Sequence, residues 1–103
     1  KIKNIKIIID RNKISASSKI EKKVFFSNNI FKKINIYTEI IDGHNYRQII
    51  NAFNKIQKKN ESCIIIANTI KGKGFGKLEN NLKFSHHLPS SSIIQSIKEN
   101  MKN

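Results

Sequence analysis

Arginine and cysteine are scarce in this sequence, and tryptophan is absent. The shortage of cysteine argues against a class of structure, and the shortage of arginine argues against a class of function. The 103 residues contain one cysteine, one proline, four glycines and no tryptophan. The single cysteine, Cys63, excludes an internal disulfide and fits a reduced, cytosolic setting. No apolar run approaches the ~20 residues of a transmembrane helix, and no signal peptide is visible. We therefore expect a cytoplasmic protein without a membrane span.

Acidic residues are also scarce, with 7 against 20 basic ones and a net charge of +13. Such an excess would attract polyanions. However, Arg11 and Arg47 are the only arginines, and arginine is the residue that forks onto phosphates and guanine edges. Lysine, asparagine and isoleucine are enriched together, and all three have codons rich in A and T. Genome composition explains that trio more simply than selection for nucleic acid, so nucleic-acid binding is not the expected function.

Apolar runs alternate with amphipathic segments along the chain. Short stretches at residues 5–9, 37–41 and 63–67, each with two or more isoleucines, predict three strands, and the first is expected to be buried on both faces. A short helix around Phe31 should end at Asn35, because asparagine tolerates the left-handed conformation. Strands and helices in this order predict an α/β fold with a parallel sheet.

Two further helices have clear apolar faces. Asn45 should begin the first of these, with Gln48 placed to return a capping-box hydrogen bond. Its predicted inward face comprises Tyr46, Ile49, Ile50, Phe53 and Ile56. The last helix follows Pro89 and should turn Ile93, Ile94, Ile97 and Met101 inward.

Polar loops follow each predicted strand. They occupy residues 10–12, 42–44 and 69–74. Because parallel sheets bind ligands at the carboxyl ends of their strands, we expect these loops to share one functional edge.

In chain order, the loops read "DRNKI", "DGHN", "IIIANTIKGKGFG", "ENN" and "SHHLP". This series resembles the C-terminal portion of the N-terminal, thiamine-diphosphate-binding domain of transketolase, from about residue 5 to residue 89. The resemblance implies a three-layer α/β fold with a parallel sheet, present as a partial domain over residues 1–103. The chain begins on Lys1 directly in a strand-like run, so we expect a segment that lacks the N-terminal part of this domain.

A transketolase transfers a two-carbon ketol unit from a ketose phosphate to an aldose phosphate, in the pentose phosphate pathway of carbohydrate metabolism. The resemblance therefore implies thiamine diphosphate as cofactor, Mg²⁺ or Ca²⁺ as the metal, and sugar phosphates as substrates. It also implies that the remaining domains or a second subunit complete the site, in a homodimer or a split-subunit assembly. The segment alone is expected to be inactive.

Asn12 matches the asparagine that ends the metal motif of transketolases. By this resemblance its side-chain oxygen and the backbone carbonyl of Ile14 bind the metal, and both contact the cofactor. Hard divalent cations prefer oxygen ligands, and diphosphate oxygens would complete the shell. The alternative is an ordinary Asx-type turn after the strand. The Gly-Asp-Gly that opens the motif is absent from these 103 residues.

Lys71 matches the lysine of the "KGKG" loop that lies beside the cofactor in transketolases. An ammonium there would offset diphosphate charge, and the glycines Gly72 and Gly74 would let the backbone approach the ligand. The alternative is a flexible basic loop. It is no P-loop, because the GxxxxGK[ST] spacing is absent.

His86 is the expected catalytic and cofactor-contacting histidine. By resemblance it would hydrogen-bond substrate hydroxyls and assist proton transfer near neutral pH. An ungapped count from Asn81 places Ser85 at this position instead, and His87 is a further candidate. Loop histidines without a role are the remaining alternative. His44 and Cys63 are interpreted as structural, the latter because nothing nearby in sequence would activate its thiol.

Two other functions compete with this one. A related thiamine-diphosphate enzyme, of the deoxyxylulose-phosphate synthase type or a transketolase of unusual sugar synthesis, would share the motifs above. A small basic module that binds RNA is the alternative of a different class, and it predicts salt-sensitive binding without metal or cofactor.

Overall fold

The computed structural model describes residues 4–14, 30–85 and 87–102. Within them the chain forms two compact units. The described part of the first unit comprises residues 4–12 and 30–69, and that of the second comprises residues 13–14, 70–85 and 87–102.

The first unit is a parallel α/β sheet with helices. Its strands are β1 (Lys6–Arg11), β2 (Tyr37–Asp42) and β3 (Cys63–Asn68), and its helices are α1 (Ile30–Lys33) and α2 (Tyr46–Gln57). The strand order is β1-β3-β2, and both pairings are parallel. The α/β class and the parallel sheet predicted from the sequence are confirmed.

The central strand β3 holds most of the core. Its residues Cys63, Ile64, Ile65 and Ile66 are all buried, so both faces of the strand are covered. One face packs in a single cluster with Ile41 of β2 and with Ala52 and Ile56 of α2. β-branched isoleucines suit such a pleated, buried surface.

The edge strand β1 differs from the sequence prediction. Ile7 is 42% exposed and Ile8 is 55% exposed, so the prediction that this strand is buried on both faces is wrong. The reason is its position, because β1 pairs with β3 on one side only in the described sheet. A continuous apolar run cannot distinguish an edge strand from a central one.

Helix α2 begins as predicted but with different capping partners. The Asn45 side chain accepts a hydrogen bond from the Gln48 backbone N–H at 3.1 Å. The Gln48 side chain, however, accepts from the backbone N–H of Asp42 at 2.8 Å rather than returning to Asn45. Gln48 therefore ties the helix to the end of β2.

The apolar face of α2 is narrower than predicted. Ala52 and Ile56 are buried, and Ile49 and Phe53 pack against the same cluster. Tyr46 and Ile50 are exposed, which corrects their assignment to the inward face. Helix α1 ends as predicted, because Asn35 adopts a φ of 54° and the Ile36 N–H donates to the Phe31 carbonyl at 3.1 Å.

The second unit consists of loops, short helices and one longer helix. Two 3₁₀ helices cover Gly76–Leu78 and Leu82–Ser85, and α3 covers Ser91–Met101. In α3, Ile93 and Ile97 are half-buried, whereas Ile94 and Met101 are exposed, contrary to the predicted inward face. Within the described ranges, no helix has the length and apolar content to cross a membrane.

Candidate functional site

The carboxyl ends of the three strands meet around Asn68 and Thr69. The register aligns Asn68 of β3 with Arg11 of β1 and with Asp42 of β2. The Arg11 Nε donates to Asn68 Oδ1 at 2.6 Å, and the Thr69 hydroxyl donates to the Asp10 carboxylate. The predicted shared edge is therefore confirmed for the loops after β1 and β2 and for the end of β3.

The Asp42-Gly43-His44 turn is fixed by close backbone contact. The Gly43 N–H donates to the Asn68 carbonyl at 2.8 Å. A Cβ on Gly43 would lie 2.5 Å from Thr69 Cγ2 and 3.1 Å from that carbonyl oxygen. The glycine is required here because no side chain fits between the two strand ends.

His44 donates its backbone N–H to Asp42 Oδ1 at 2.9 Å, which closes an Asx turn before α2. This backbone contact agrees with the structural interpretation of the residue. Its ring is exposed.

The expected metal ligands lie at the end of β1. Asn12 is half-buried and directly follows the strand, and Lys13 then adopts a φ of 63°. Ile14, whose carbonyl is the second expected ligand, is only 7% exposed. Asn12 belongs to the first unit, and Lys13 and Ile14 belong to the second.

The donor set tests whether a divalent cation fits. An amide oxygen and a backbone carbonyl are uncharged, hard donors of the kind that Mg²⁺ and Ca²⁺ accept, and the diphosphate would bring its own negative oxygens. Among the described residues, no group of three or more histidine, cysteine, aspartate or glutamate side chains could hold a metal ion. The chemistry of each of these oxygen donors suits a divalent cation, and other groups would have to complete its shell.

The Lys71 loop runs from Ile70 to Asn81 in the second unit. Its glycines Gly72, Gly74 and Gly76 have φ values of 72°, 89° and 54°, in the left-handed region that glycine adopts most readily. The Asn80 N–H donates to the Lys71 carbonyl at 2.8 Å and so closes the loop at its base. These φ values agree with a tight turn of the backbone at Gly72 and Gly74, and the approach of that backbone to a ligand stays a prediction.

A groove of about 330 Å³ lies along this loop. Lys71 contributes to its lining, and its other described lining residues are Gly72, Phe75, Leu78, Asn81, Phe84 and Pro89. The groove is mainly apolar, and the exposed Lys71 adds a cationic group to the lining. Such a lining would accept a ligand with an apolar part and an anionic part.

His86 lies outside the described residues. Its neighbour His87 is described and exposed. Lys71 is in the second unit and Asn12 is in the first, so the expectation that Asn12, Lys71 and His86 form one site stays a prediction.

The shifted pKa values of the described residues are at Tyr37 and Glu39, near the amino end of β2. The Tyr37 hydroxyl donates a hydrogen bond to Glu39, which raises the pKa of the phenol and lowers that of the carboxyl. The Lys55 ammonium, 3.2 Å from Glu39 Oε1, lowers the pKa of the carboxyl further. This cluster is at the opposite end of the strand from Asp42, so we assign it to stability.

Cys63 has a cationic neighbour that sequence reasoning missed. The Lys6 ammonium lies 3.5 Å from Cys63 Sγ and also donates to the Lys59 and Glu61 carbonyls at 2.8 and 2.6 Å. Sequence reasoning did not identify this contact, because it spans 57 residues of the chain. The thiol is fully buried and packs in the core, as predicted.

Sequence reasoning also gave no role to Thr69, Glu79, Phe75 or Phe84. Thr69 and Glu79 make side-chain hydrogen bonds to the loops described above, and the two phenylalanines line the groove. The acid of "ENN", immediately after a glycine-rich loop, was the signal that could have identified Glu79.

No family model matches this chain. The chain is similar to known proteins nonetheless. It is 39% identical over 59 residues to 1-deoxy-D-xylulose-5-phosphate synthase of Azobacteroides pseudotrichonymphae genomovar. CFP2. This alignment covers 56% of this chain and 9% of the synthase. It is 25% identical over 105 aligned positions to one of the subunits of apulose-4-phosphate transketolase of Actinobacillus succinogenes, covering 99% of this chain and 38% of that protein.

Among solved structures, the chain is similar to transketolase from Campylobacter jejuni, with a TM-score of 0.83 and 31% identity. The match covers 96% of this chain and 16% of the Campylobacter chain. The resemblance to transketolase is therefore confirmed. The chain spans between 9% and 38% of the length of the two curated relatives described above.

Proposed function

We propose that this chain is part of a transketolase that depends on thiamine diphosphate and a divalent metal ion. The reaction is transfer of a two-carbon ketol unit from a ketose phosphate to an aldose phosphate. The observation that carries this proposal is the likeness to Campylobacter transketolase, which extends over nearly the whole chain in both fold and sequence.

Asn12 and Ile14 are proposed to hold the metal through the side-chain amide oxygen and the backbone carbonyl. Mg²⁺ and Ca²⁺ both suit these oxygen donors. Lys71 is proposed to contact the cofactor, where its ammonium would balance diphosphate charge. Thiamine diphosphate supplies the carbanion stabilisation that carbon–carbon bond cleavage requires.

His86 is proposed as the catalytic residue of this chain. An imidazole can donate to substrate hydroxyls and exchange a proton at cytoplasmic pH. The same residue would contact the cofactor.

The remaining parts of the site are proposed to come from other domains or a second subunit. The chain corresponds to 16% of the Campylobacter transketolase chain and to 38% of the Actinobacillus relative, whose name describes it as a subunit. A homodimer and a split-subunit assembly both satisfy this requirement. The isolated segment is then inactive, and the assembled enzyme works in the cytoplasm, in the pentose phosphate pathway.

Synthesis of 1-deoxy-D-xylulose 5-phosphate is the second candidate function. The observation in its favour is the 39% identity to a synthase of that name over 59 residues. The RNA-binding alternative has less support, because Tyr37 is the sole aromatic residue in the described strands, and a sheet that stacks bases needs several.

The test uses the enzyme assembled from this chain and the segments that complete it. Purified enzyme is given a ketopentose phosphate, an aldopentose phosphate, thiamine diphosphate and Mg²⁺, and products are identified by mass spectrometry. We expect an aldotriose phosphate and a ketoheptose phosphate, and loss of both when metal or cofactor is omitted.

A parallel reaction supplies pyruvate and an aldotriose phosphate in place of the two pentose phosphates. Formation of 1-deoxy-D-xylulose 5-phosphate and CO2 in that reaction, without ketol transfer in the first, would replace the first function by the second. Absence of both reactions, together with cofactor-independent and salt-sensitive RNA binding, would favour the polyanion-binding module.

A further inference from the structure

Glu79 connects the two sides of the Lys71 loop. Its Oε1 accepts a hydrogen bond from the backbone N–H of Gly74 at 2.8 Å, across five residues of the chain. Glu79 is half-buried, and its own N–H donates to the Gly76 carbonyl at 2.9 Å. The side chain and the backbone of Glu79 therefore both form hydrogen bonds with the glycine-rich part of the loop.

The loop has little else to hold its tip. Gly74 and Gly76 have positive φ values, and apart from the glycine itself and its chain neighbours no described residue has a heavy atom within 4 Å of a Cβ built on either one. Glycine at these positions has a large conformational freedom to lose when the loop is ordered. The other hydrogen bonds of the Gly74 region are short-range turns, such as Phe75 N–H to the Gly72 carbonyl at 3.0 Å.

The same loop forms the groove wall. Gly72, Phe75 and Leu78 line the groove together with Lys71. Gly72 lies close to the returning chain, because a Cβ on it would be 3.0 Å from the Leu78 carbonyl oxygen. A contact that fixes Gly74 therefore fixes the backbone on which Lys71 and the groove wall depend.

We infer that Glu79 is a positioning residue for the Lys71 loop, and that it acts by accepting the Gly74 amide. The carboxylate holds the loop in the shape in which the Lys71 ammonium meets the diphosphate end of the cofactor. This inference rests on the proposed function.

A charge role and a positioning role of Glu79 predict opposite changes in anion binding when the residue is removed. Glu79 is a negative group among Lys71, Lys73 and Lys77. If it acted only through its charge, its removal would make the loop more positive and would strengthen the binding of an anion. If it positions the loop, its removal weakens binding despite the more favourable charge.

The experiment compares three variants of the assembled enzyme. Glu79→Ala removes the acceptor and the charge, Glu79→Gln removes the charge but keeps a side-chain oxygen, and Glu99→Ala is the control. Glu99 is an exposed residue of α3 whose contact is with Gln95 at 3.2 Å, so its loss changes net charge equally without touching the loop.

Two quantities are measured on each protein. Hydrogen–deuterium exchange of the peptide covering residues 70–81 reports loop order without any ligand. Calorimetric titration with thiamine diphosphate in Mg²⁺ reports cofactor affinity. We expect Glu79→Ala to increase deuterium uptake and to raise the Kd about tenfold, as loss of one hydrogen bond that orders the loop would do. Glu79→Gln and Glu99→Ala should remain close to the unmodified enzyme in both measurements.

Unchanged deuterium uptake in Glu79→Ala would overturn the inference, as would unchanged or tighter cofactor binding by that variant. A Kd raised equally in Glu79→Gln would also overturn it, because a side chain that keeps an acceptor oxygen should still hold the Gly74 amide. If the unmodified enzyme binds no thiamine diphosphate, the proposed function fails, and the inference loses the site that it rests on. Failure of the inference alone is distinguished by normal binding in the unmodified enzyme and in Glu79→Ala.

Discussion

The Gly43 amide donates to the Asn68 carbonyl at 2.8 Å, and this contact joins the turn after β2 to the end of β3. The two backbones approach so closely that the Thr69 methyl group, Cγ2, occupies the space a side chain on residue 43 would need. The edge of the sheet where ligands are expected is thus shaped by a glycine and a threonine from different strand ends.

Gly43→Ala should destabilise the protein. The added methyl carbon would lie 2.5 Å from Thr69 Cγ2. The shifts of side chain and backbone that remove such an overlap destabilise the folded state by about 2 kcal/mol. The free energy of unfolding, measured by denaturant titration of the protein that contains this chain, should fall by that amount. Thr69→Ser, which removes Cγ2 but keeps the hydroxyl that bonds Asp10, should restore part of the loss in the double variant. No recovery would mean that the turn, and not the methyl contact, requires glycine.

Asn12→Leu should weaken the metal-dependent binding of the cofactor. Leucine has a similar size but offers no oxygen, so the Kd for thiamine diphosphate in Mg²⁺ should rise at least about tenfold. Asn12→Asp keeps an oxygen donor and should bind the metal. Asn51→Leu, at an exposed position of α2, provides a matched control that should leave binding unchanged. Equal affinities for Asn12→Leu and the unmodified enzyme would remove Asn12 from the metal site.

His86→Ala should mainly lower the turnover number of the assembled enzyme. Loss of a positioned acid–base group reduces rates about a hundredfold or more, whereas cofactor affinity should change less. Steady-state kinetics of His86→Ala and His87→Ala separate the two candidates. If His87→Ala is the slow variant, the alignment of the histidine with the transketolase motif is wrong by one residue.

Acidification should weaken the first unit through Glu39. The hydrogen bond from Tyr37, followed by Lys55, lowers the pKa of this carboxyl in the folded state. A group with a lowered pKa stabilises the fold above its unfolded pKa, and this contribution is lost as the pH falls from the unfolded pKa through the lower folded pKa. The contribution is about 1 kcal/mol or less, since Lys55 is largely exposed.

Denaturant titrations at neutral and acidic pH measure this effect. Glu39→Gln should be less stable than the unmodified protein at neutral pH, and the difference should shrink in acid. A difference that stays constant with pH would assign the effect to packing of the side chain and not to its charge.

The elements that the sequence predicted well are those decided by short-range physics. Asn35 ends α1 because its own backbone preference suffices. The apolar run of β3 is buried as predicted, and β3 is the central strand of the sheet. The exposure of β1 depends on its position in the sheet, which a local apolar run does not encode. The contact of Gln48 with Asp42 likewise depends on how the turn approaches the helix.

In the candidate site, too, the sequence identified single residues but not the contacts that depend on the fold. The motifs identified Asn12, Ile14, Lys71 and His86 by resemblance, without reference to distance. The contact between Asp10 and Thr69 spans 59 residues and exists because the strand register brings the two together. Glu79 was within a quoted motif, but its partner is a backbone amide, which has no signature in the sequence.

Strand β3 pairs through the same residues on both sides, since Cys63 lies opposite both Lys6 and Tyr37, and Asn68 lies opposite both Arg11 and Asp42. A slip of β3 by one residue would move each of its side chains to the opposite face of the sheet and would separate Asn68 from Arg11 and Gly43 at once. The contacts of Asn68 with β1 and with the turn after β2 therefore form together or not at all, because the register of one strand sets both.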